Sequence, residues 1–227
     1  MFNFRNKSLV VVAPHCDDEV LGVGGVLAKY AEAGWHTSVI YVTKPSPHLA
    51  SEERWAVIKE EATRSCEILG VENEFYLDYR VLELNSVPSY ELNARINALF
   101  VKLSPSIIFS PSELDPHEDH KRVFNAVNVA SRPVNGFQPN LICTYETLSE
   151  TEWGWNENKG SFSPNFFVDI TETLDKKVQA MECFDTQLGT FPHPRSGEAI
   201  TALARLRGSN IGVRAAEAFN IMRFVAP

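Results

Sequence analysis

The chain has 227 residues, 44% of them hydrophobic and 22% charged, ordinary values for a globular protein with a substantial core. Its 21 basic and 29 acidic residues leave a net charge of −8, and the basic ones are scattered, which argues against duplex nucleic acid or an anionic membrane surface as main partner. No apolar stretch approaches the ~20 residues of a membrane span and no signal-peptide h-region precedes the first charges, so a cytoplasmic protein without membrane insertion is expected.

Strand-like and helix-like segments alternate. Ser8–Ala13 reads as a buried strand, and the helix expected over Val20–Gly34 closes on Gly34. Thr37–Thr43 is a second strand, and Lys44–Leu49, with two prolines, is a loop at the same sheet edge. A helix over Ser51–Leu69 precedes Gly70, and Glu74–Leu77 is a short third strand. Tyr90–Leu103 is helical, Pro105 breaks it, and Ile107–Ser110 is a strand. A helix over Asp115–Ala130 is expected to start with Asp115 as N-cap, Pro116 at N1 and Glu118 at N3. Leu141–Tyr145 and Phe166–Ile170 are further strands. Thr171–Leu188 and Glu198–Phe224 read as long amphipathic helices joined by Phe191–Ser196. This alternation implies right-handed crossovers, a mainly parallel sheet and one α/β domain over 1–227, with the C-terminal helices packed on the core or building a subunit contact.

Two clusters carry the chemistry. His15-Cys16-Asp17-Asp18-Glu19 ends the first strand, where open α/β sheets bind ligands. Asp115-Pro116-His117-Glu118-Asp119-His120 opens a later helix. His15 and Asp18 are three apart in a turn and can converge on one ion, leaving Asp17 free to act as general base. His117 and His120, at i and i+3, share a helix face, and spacing leaves open which of them ligates. Asp119 beside them can orient an imidazole. An aspartate before a helix is more often a cap, but two such clusters at strand ends favour a mononuclear metal site.

Other candidates carry less. Gly22-Val23-Gly24-Gly25 lies inside a helix rather than directly after a strand, so close helix–sheet packing is expected instead of NAD binding. Cys16, Cys66, Cys143 and Cys183 form no C-x-x-C pair and fit reduced thiols, with Cys16 expected to pack rather than ligate. His36 and His48 are expected to be solvated. His193 and Arg195 sit in a loop that either reaches the pocket or merely connects helices. Trp153 and Trp155 are expected to pack, with a substrate groove as the alternative.

Pro-His-Cys-Asp-Asp-Glu and His117-Glu118-Asp119-His120 resemble the (A/P)-H-P-D-D-E and H-x-D-H signatures of the PIG-L/LmbE-like zinc-dependent N-deacetylases. The similarity runs on through Tyr145-Glu146, Phe167–Ile170, Pro192–Ser196 and Ala202–Phe219. It implies a Rossmann-like three-layer sandwich (LmbE-like), with zinc, iron(II) or another divalent ion on His15, Asp18 and His120. It implies Asp17 as catalytic base, His117 as the imidazolium that stabilises the oxyanion, and Asp119 as the carboxylate that orients and tunes His117. The implied reaction is removal of an acetyl group from a small N-acetylated amino sugar or its conjugate, by a protein that forms a homo-oligomer. A hydratase or lyase on the same fold, or an amide hydrolase with a non-sugar substrate, is the alternative. An iron(II) oxygenase and a non-enzymatic binding domain are weaker rivals. This chain departs from the pattern at Cys16, where relatives have Pro, and at Ile58-Lys59, where many carry a substrate-holding Arg; Arg54 lies one turn earlier.

Overall fold

The computed structural model describes residue 4 and residues 6–134, 136–154 and 160–226. Strand β1 is Ser8–Ala13, and every residue of it is buried. Its alternation sends Leu9, Val11 and Ala13 to one face of the sheet and Val10 and Val12 to the other. Each face is covered. Helices α1 (Asp18–Glu32), α2 (Glu52–Leu69) and α5 (Leu174–Glu182) pack on the first, and α3 (Ser89–Leu103) and α4 (Glu118–Ala130) on the second. This is a three-layer α/β sandwich.

Strands β2 (His36–Lys44), β3 (Asn73–Arg80), β4 (Ile107–Pro111), β5 (Leu141–Tyr145), β6 (Phe166–Asp169) and β7 (Ala216–Phe224) complete the sheet in the order β3-β2-β1-β4-β5-β7-β6. The pairs β1–β2, β2–β3, β1–β4 and β4–β5 are parallel. After β3 the chain returns to the other side of β1, so the sheet order reverses between β1 and β4. A crevice for ligands opens at such a reversal, beyond the carboxyl ends of the two strands. Both His/Asp clusters lie there.

Several helix ends follow from local chemistry. Ser51 Oγ accepts from Arg54 N to cap α2, and Gly70 ends it at φ 71°. Gly22 lets α1 lie against the sheet, since a Cβ there would come 2.2 Å from Cδ2 of the buried Tyr145 ring. A Cβ on Gly25 would meet Ile170 at 2.7 Å. The expected packing role of the glycines holds.

The C-terminal part corrects the expectation of two long helices. The first is shortened to α5. The second is α6, Gly197–Ser209, followed by strand β7, antiparallel to both β5 and β6. In the last turn of α6, Gly208 lets the returning chain pass close, since a Cβ there would come 2.6 Å from the Val213 carbonyl oxygen, and Gly212 turns the chain at φ 77°. Ala216 to Phe219 pair with β6 and are buried, Phe219 onward pairs with β5, and that burial outweighs the helix propensity of Ala-Glu-Ala. Glu217 from β7 accepts from Gly25 N and Val26 N at 2.9 and 2.8 Å. Lys177 from α5 pairs with Glu217 at 2.6 Å and donates to the Leu21 carbonyl at 2.8 Å. This buried pair ties α1, α5 and β7 together. No helix among the described residues is long and apolar enough to cross a membrane.

Candidate metal centre and catalytic pocket

β1 ends at Ala13, and the next four residues turn the chain into α1. Asp18 opens the helix, and its Oδ2 accepts from His15 N at 2.8 Å. The same oxygen lies 3.2 Å from His15 Nδ1 and 3.3 Å from His120 Nε2, so three donors from two distant clusters converge. These separations match the roughly 3.3 Å edge of a tetrahedron with ~2.0–2.1 Å arms, the size of a zinc site with His and carboxylate ligands. Asp18 Oδ1 and His120 Nε2 are buried with no hydrogen-bond partner. An unsatisfied buried polar atom costs about 1–3 kcal/mol, so a cation beside these atoms fits the donor set. One nitrogen each from His15, His117 and His120 also lies within 4.8 Å of the others.

Carboxylates support the imidazoles. Asp119 Oδ2 is 3.3 Å from His15 Nε2 and accepts from Leu82 N at 2.8 Å. Asp115 Oδ2 is 2.8 Å from His120 Nδ1. Burial alone would lower both imidazoles, but the acids outweigh it and hold His15 at about 9 and His120 at about 10. Burial would raise Asp18, yet His120 and His15 hold it well below the usual carboxylate range. The surroundings therefore favour positive charge, as a divalent ion would supply.

Asp17 stands apart. Its backbone is left-handed, φ 118°, a conformation that costs a non-glycine residue about 1–3 kcal/mol. Asp17 N donates to Glu19 Oε2 at 3.0 Å, and Asp17 O accepts from Val20 N and Leu21 N. Its side chain makes no capping hydrogen bond, so the cap reading of this aspartate is not realised. Burial pushes its carboxyl up to about 6, against the pull of Arg195, whose Nη1 lies 2.9 Å from Asp17 Oδ2. Arg195 Nε donates to Ser149 Oγ at 2.8 Å and its Nη1 to Gln187 Oε1 at 2.9 Å. Of the two outcomes open for its loop, Arg195 reaches the pocket, while His193 is exposed and accepts from Arg195 N through Nδ1.

A cavity of about 350 Å³ opens onto His15, Asp17, His117 and Arg195, with Leu49 and Ile58 on its apolar wall. Arg54 also lines it, whereas Lys59 lies over the Trp55 and Tyr76 rings and does not. Cys16 is buried at its edge, and burial, with Glu19 and Asp17 adding, pushes its thiol well above the ordinary range. Its expected packing role agrees with this burial. His36 and His48 are exposed, His36 beside Glu72. Trp153 is about half exposed, and Trp155 lies outside the described residues.

Three readings of the second cluster change. Helix α4 begins at Glu118 with His117, not Asp115, as N-cap, because His117 Nδ1 accepts from Asp119 N at 3.1 Å. Asp115 turns inward to His120 instead, a role signalled only by its place in the cluster. Asp119 makes its hydrogen bonds to His15 and Leu82 N, and only its backbone amide reaches His117. A nitrogen that accepts from a backbone amide carries no proton, so His117 is a neutral ring with its proton on Nε2, not the expected imidazolium. Burial, with His15 and His120 nearby, pushes it down to about 4.

The PIG-L family model, described as GlcNAc-PI de-N-acetylase, matches residues 10–131, more than half of the chain and both clusters. The chain belongs to the PIG-L family. It is 28% identical to the diacetylchitobiose deacetylase of Thermococcus kodakarensis, across 80% of this chain and 70% of that protein. It is 25% identical to the 4-oxalmesaconate hydratase of Pseudomonas putida, across 94% of this chain and 86% of that protein. Among solved structures, the conserved protein TT1542 from Thermus thermophilus is similar at a TM-score of 0.76 and 25% identity, over 99% of this chain and 96% of that one. Deacetylases and a hydratase thus share this PIG-L architecture. Arg195 and Ser149 lie outside the segment that the family model matches.

Proposed function

We propose that the protein is a metal-dependent N-deacetylase that releases acetate from a small N-acetylated amino sugar or its conjugate. The observation that carries this reading is the convergence of His15, Asp18 and His120, with Asp18 Oδ1 and His120 Nε2 buried and unpartnered, beside Asp17 in an open cavity. These three side chains would hold a divalent ion, zinc or iron(II). Such an ion supplies Lewis acidity that activates water and polarises the amide carbonyl.

The chain's own groups do the rest. Asp17 takes a proton from the attacking water as its oxygen bonds to the acetyl carbon. His117 donates from Nε2 to the developing oxyanion, a contribution of about 3–4 kcal/mol per donor in comparable sites. Asp17 then delivers the proton to the nitrogen as the C–N bond breaks, giving acetate and a primary amine. Arg195, held by Ser149 and Gln187, keeps Asp17 in place. Asp119 and Asp115 hold the two ligand rings.

Hydration of an unsaturated acid on the same site is the second reading, favoured by the hydratase relative that spans 94% of this chain. Metal analysis combined with a screen of N-acetylglucosamine conjugates separates the two. Deacetylation gives equimolar acetate and amine that a chelator abolishes. Water addition to an unsaturated acid without amine release would overturn it.

A further inference from the structure

The turn between β5 and β6 lends Glu150 to the cavity wall, and its neighbour Thr151 reaches the site from behind. Thr151 Oγ1 lies 2.6 Å from Asp115 Oδ1 and accepts from Thr147 N at 2.7 Å. A backbone amide can only donate, so the Thr151 hydroxyl accepts there and its own proton is left for Asp115. Asp115, now accepting at Oδ1, faces His120 Nδ1 with Oδ2 at 2.8 Å. Asp115 and His120 are both fully buried, while Thr151 reaches Asp115 from a partly exposed position. The Thr147 amide sets the direction of the Thr151 bond, and an ionised Asp115 then accepts at both oxygens. With Nδ1 engaged by Asp115, Nε2 is the His120 nitrogen that faces Asp18, and it is the one left to meet an ion there in place of its proton.

We propose that Thr151 is a positioning residue that acts through Asp115 to fix which nitrogen His120 presents to the metal, and in what orientation. The inference rests on the metal-hydrolase reading above. Without the hydroxyl, Asp115 Oδ1 loses a hydrogen bond in a buried place and the carboxylate is free to turn away from the ring. Carboxylates that orient ligating histidines typically change metal affinity by about 10–100-fold when lost, and Thr151 stands one bond further out. Ser149, two residues away, supports a different group, since its Oγ accepts from Arg195 beside Asp17. The same turn therefore offers an internal control.

The test uses the full chain and three variants, Thr151→Val, Thr151→Ser and Ser149→Ala. Zn2+ affinity is measured by chelator competition, and the ligand-field spectrum of the Co2+-loaded protein is recorded. Thr151→Val is expected to weaken Zn2+ binding by about tenfold or more and to shift the Co2+ spectrum, while Thr151→Ser and Ser149→Ala stay within roughly threefold of the parent. Unchanged Zn2+ affinity in Thr151→Val overturns the proposal, whatever happens to its stability. Equal losses in Thr151→Val and Ser149→Ala also overturn it, because the integrity of the turn would then be responsible. A parent chain that takes up neither Zn2+ nor Co2+ overturns the metal reading itself.

Discussion

The ligand-bearing region, β1 to α4, and the closing region, β5 to β7, are built on different principles. In the first, consecutive βα units place His15, Asp17 and Asp18 after β1 and His117 and His120 before α4. Each cluster sits within one turn of chain, and parallel strand order brings the two together. In the second, no cluster of metal-type residues marks the chain, although Pro192–Ser196 shares the family resemblance. Arg195 from a loop, Ser149 and Thr151 from a turn and Glu217 from an antiparallel strand reach the first region only through tertiary contacts. The first region carries the groups to which the proposed function gives reactive roles, and the second makes contacts to them.

The sharpest break of that division is Asp18→Ala. Loss of the carboxylate that His15 and His120 share should abolish both stoichiometric metal and turnover, read by elemental analysis and acetate release. Asp17→Asn should retain the metal and lower kcat by about 10²–10⁴-fold, the range for a general base. An Asp17→Asn protein with parental turnover would sink the assignment of the base.

The closing region should respond in stability first. Lys177→Met leaves Glu217 buried without its cation, and breaking such a pair costs about 3–5 kcal/mol, measurable by denaturant titration. Replacing both partners should recover part of that loss. Gly22→Ala is expected to cost less, about 1–3 kcal/mol, as the added methyl presses on the Tyr145 ring and α1 shifts from the sheet. Unchanged stability in Gly22→Ala would mean that α1 is not held as closely as the fold implies.

The order of strands and helices through α4 was legible because its signals are short-ranged. Valine-rich runs mark strands, and Gly70 and Ser51 mark helix ends. The metal-type residues were equally legible, since the Asp17–Asp18 and Asp119–His120 pairs are contiguous. Asp115 was readable as a cap and proved a partner of His120, because a cap and an inward carboxylate share the same place before a helix. The charge of His117 was not legible, since it follows from which group faces Nδ1.

The sequence by itself determined the α/β class, the two clusters and the residue types that suit a divalent ion, all properties of neighbours along the chain. Only the tertiary structure decided that Ala216–Phe224 is a strand, that Arg195 closes on Asp17 and that Thr151 reaches Asp115. Those contacts join residues 36 to about 178 positions apart, as the Thr151–Asp115 bond and the Arg195–Asp17 pair illustrate. Burial beside β5 and β6 sets the strand, the approach of loop and turn to the sheet edge sets the other two, and local propensity sets none of them.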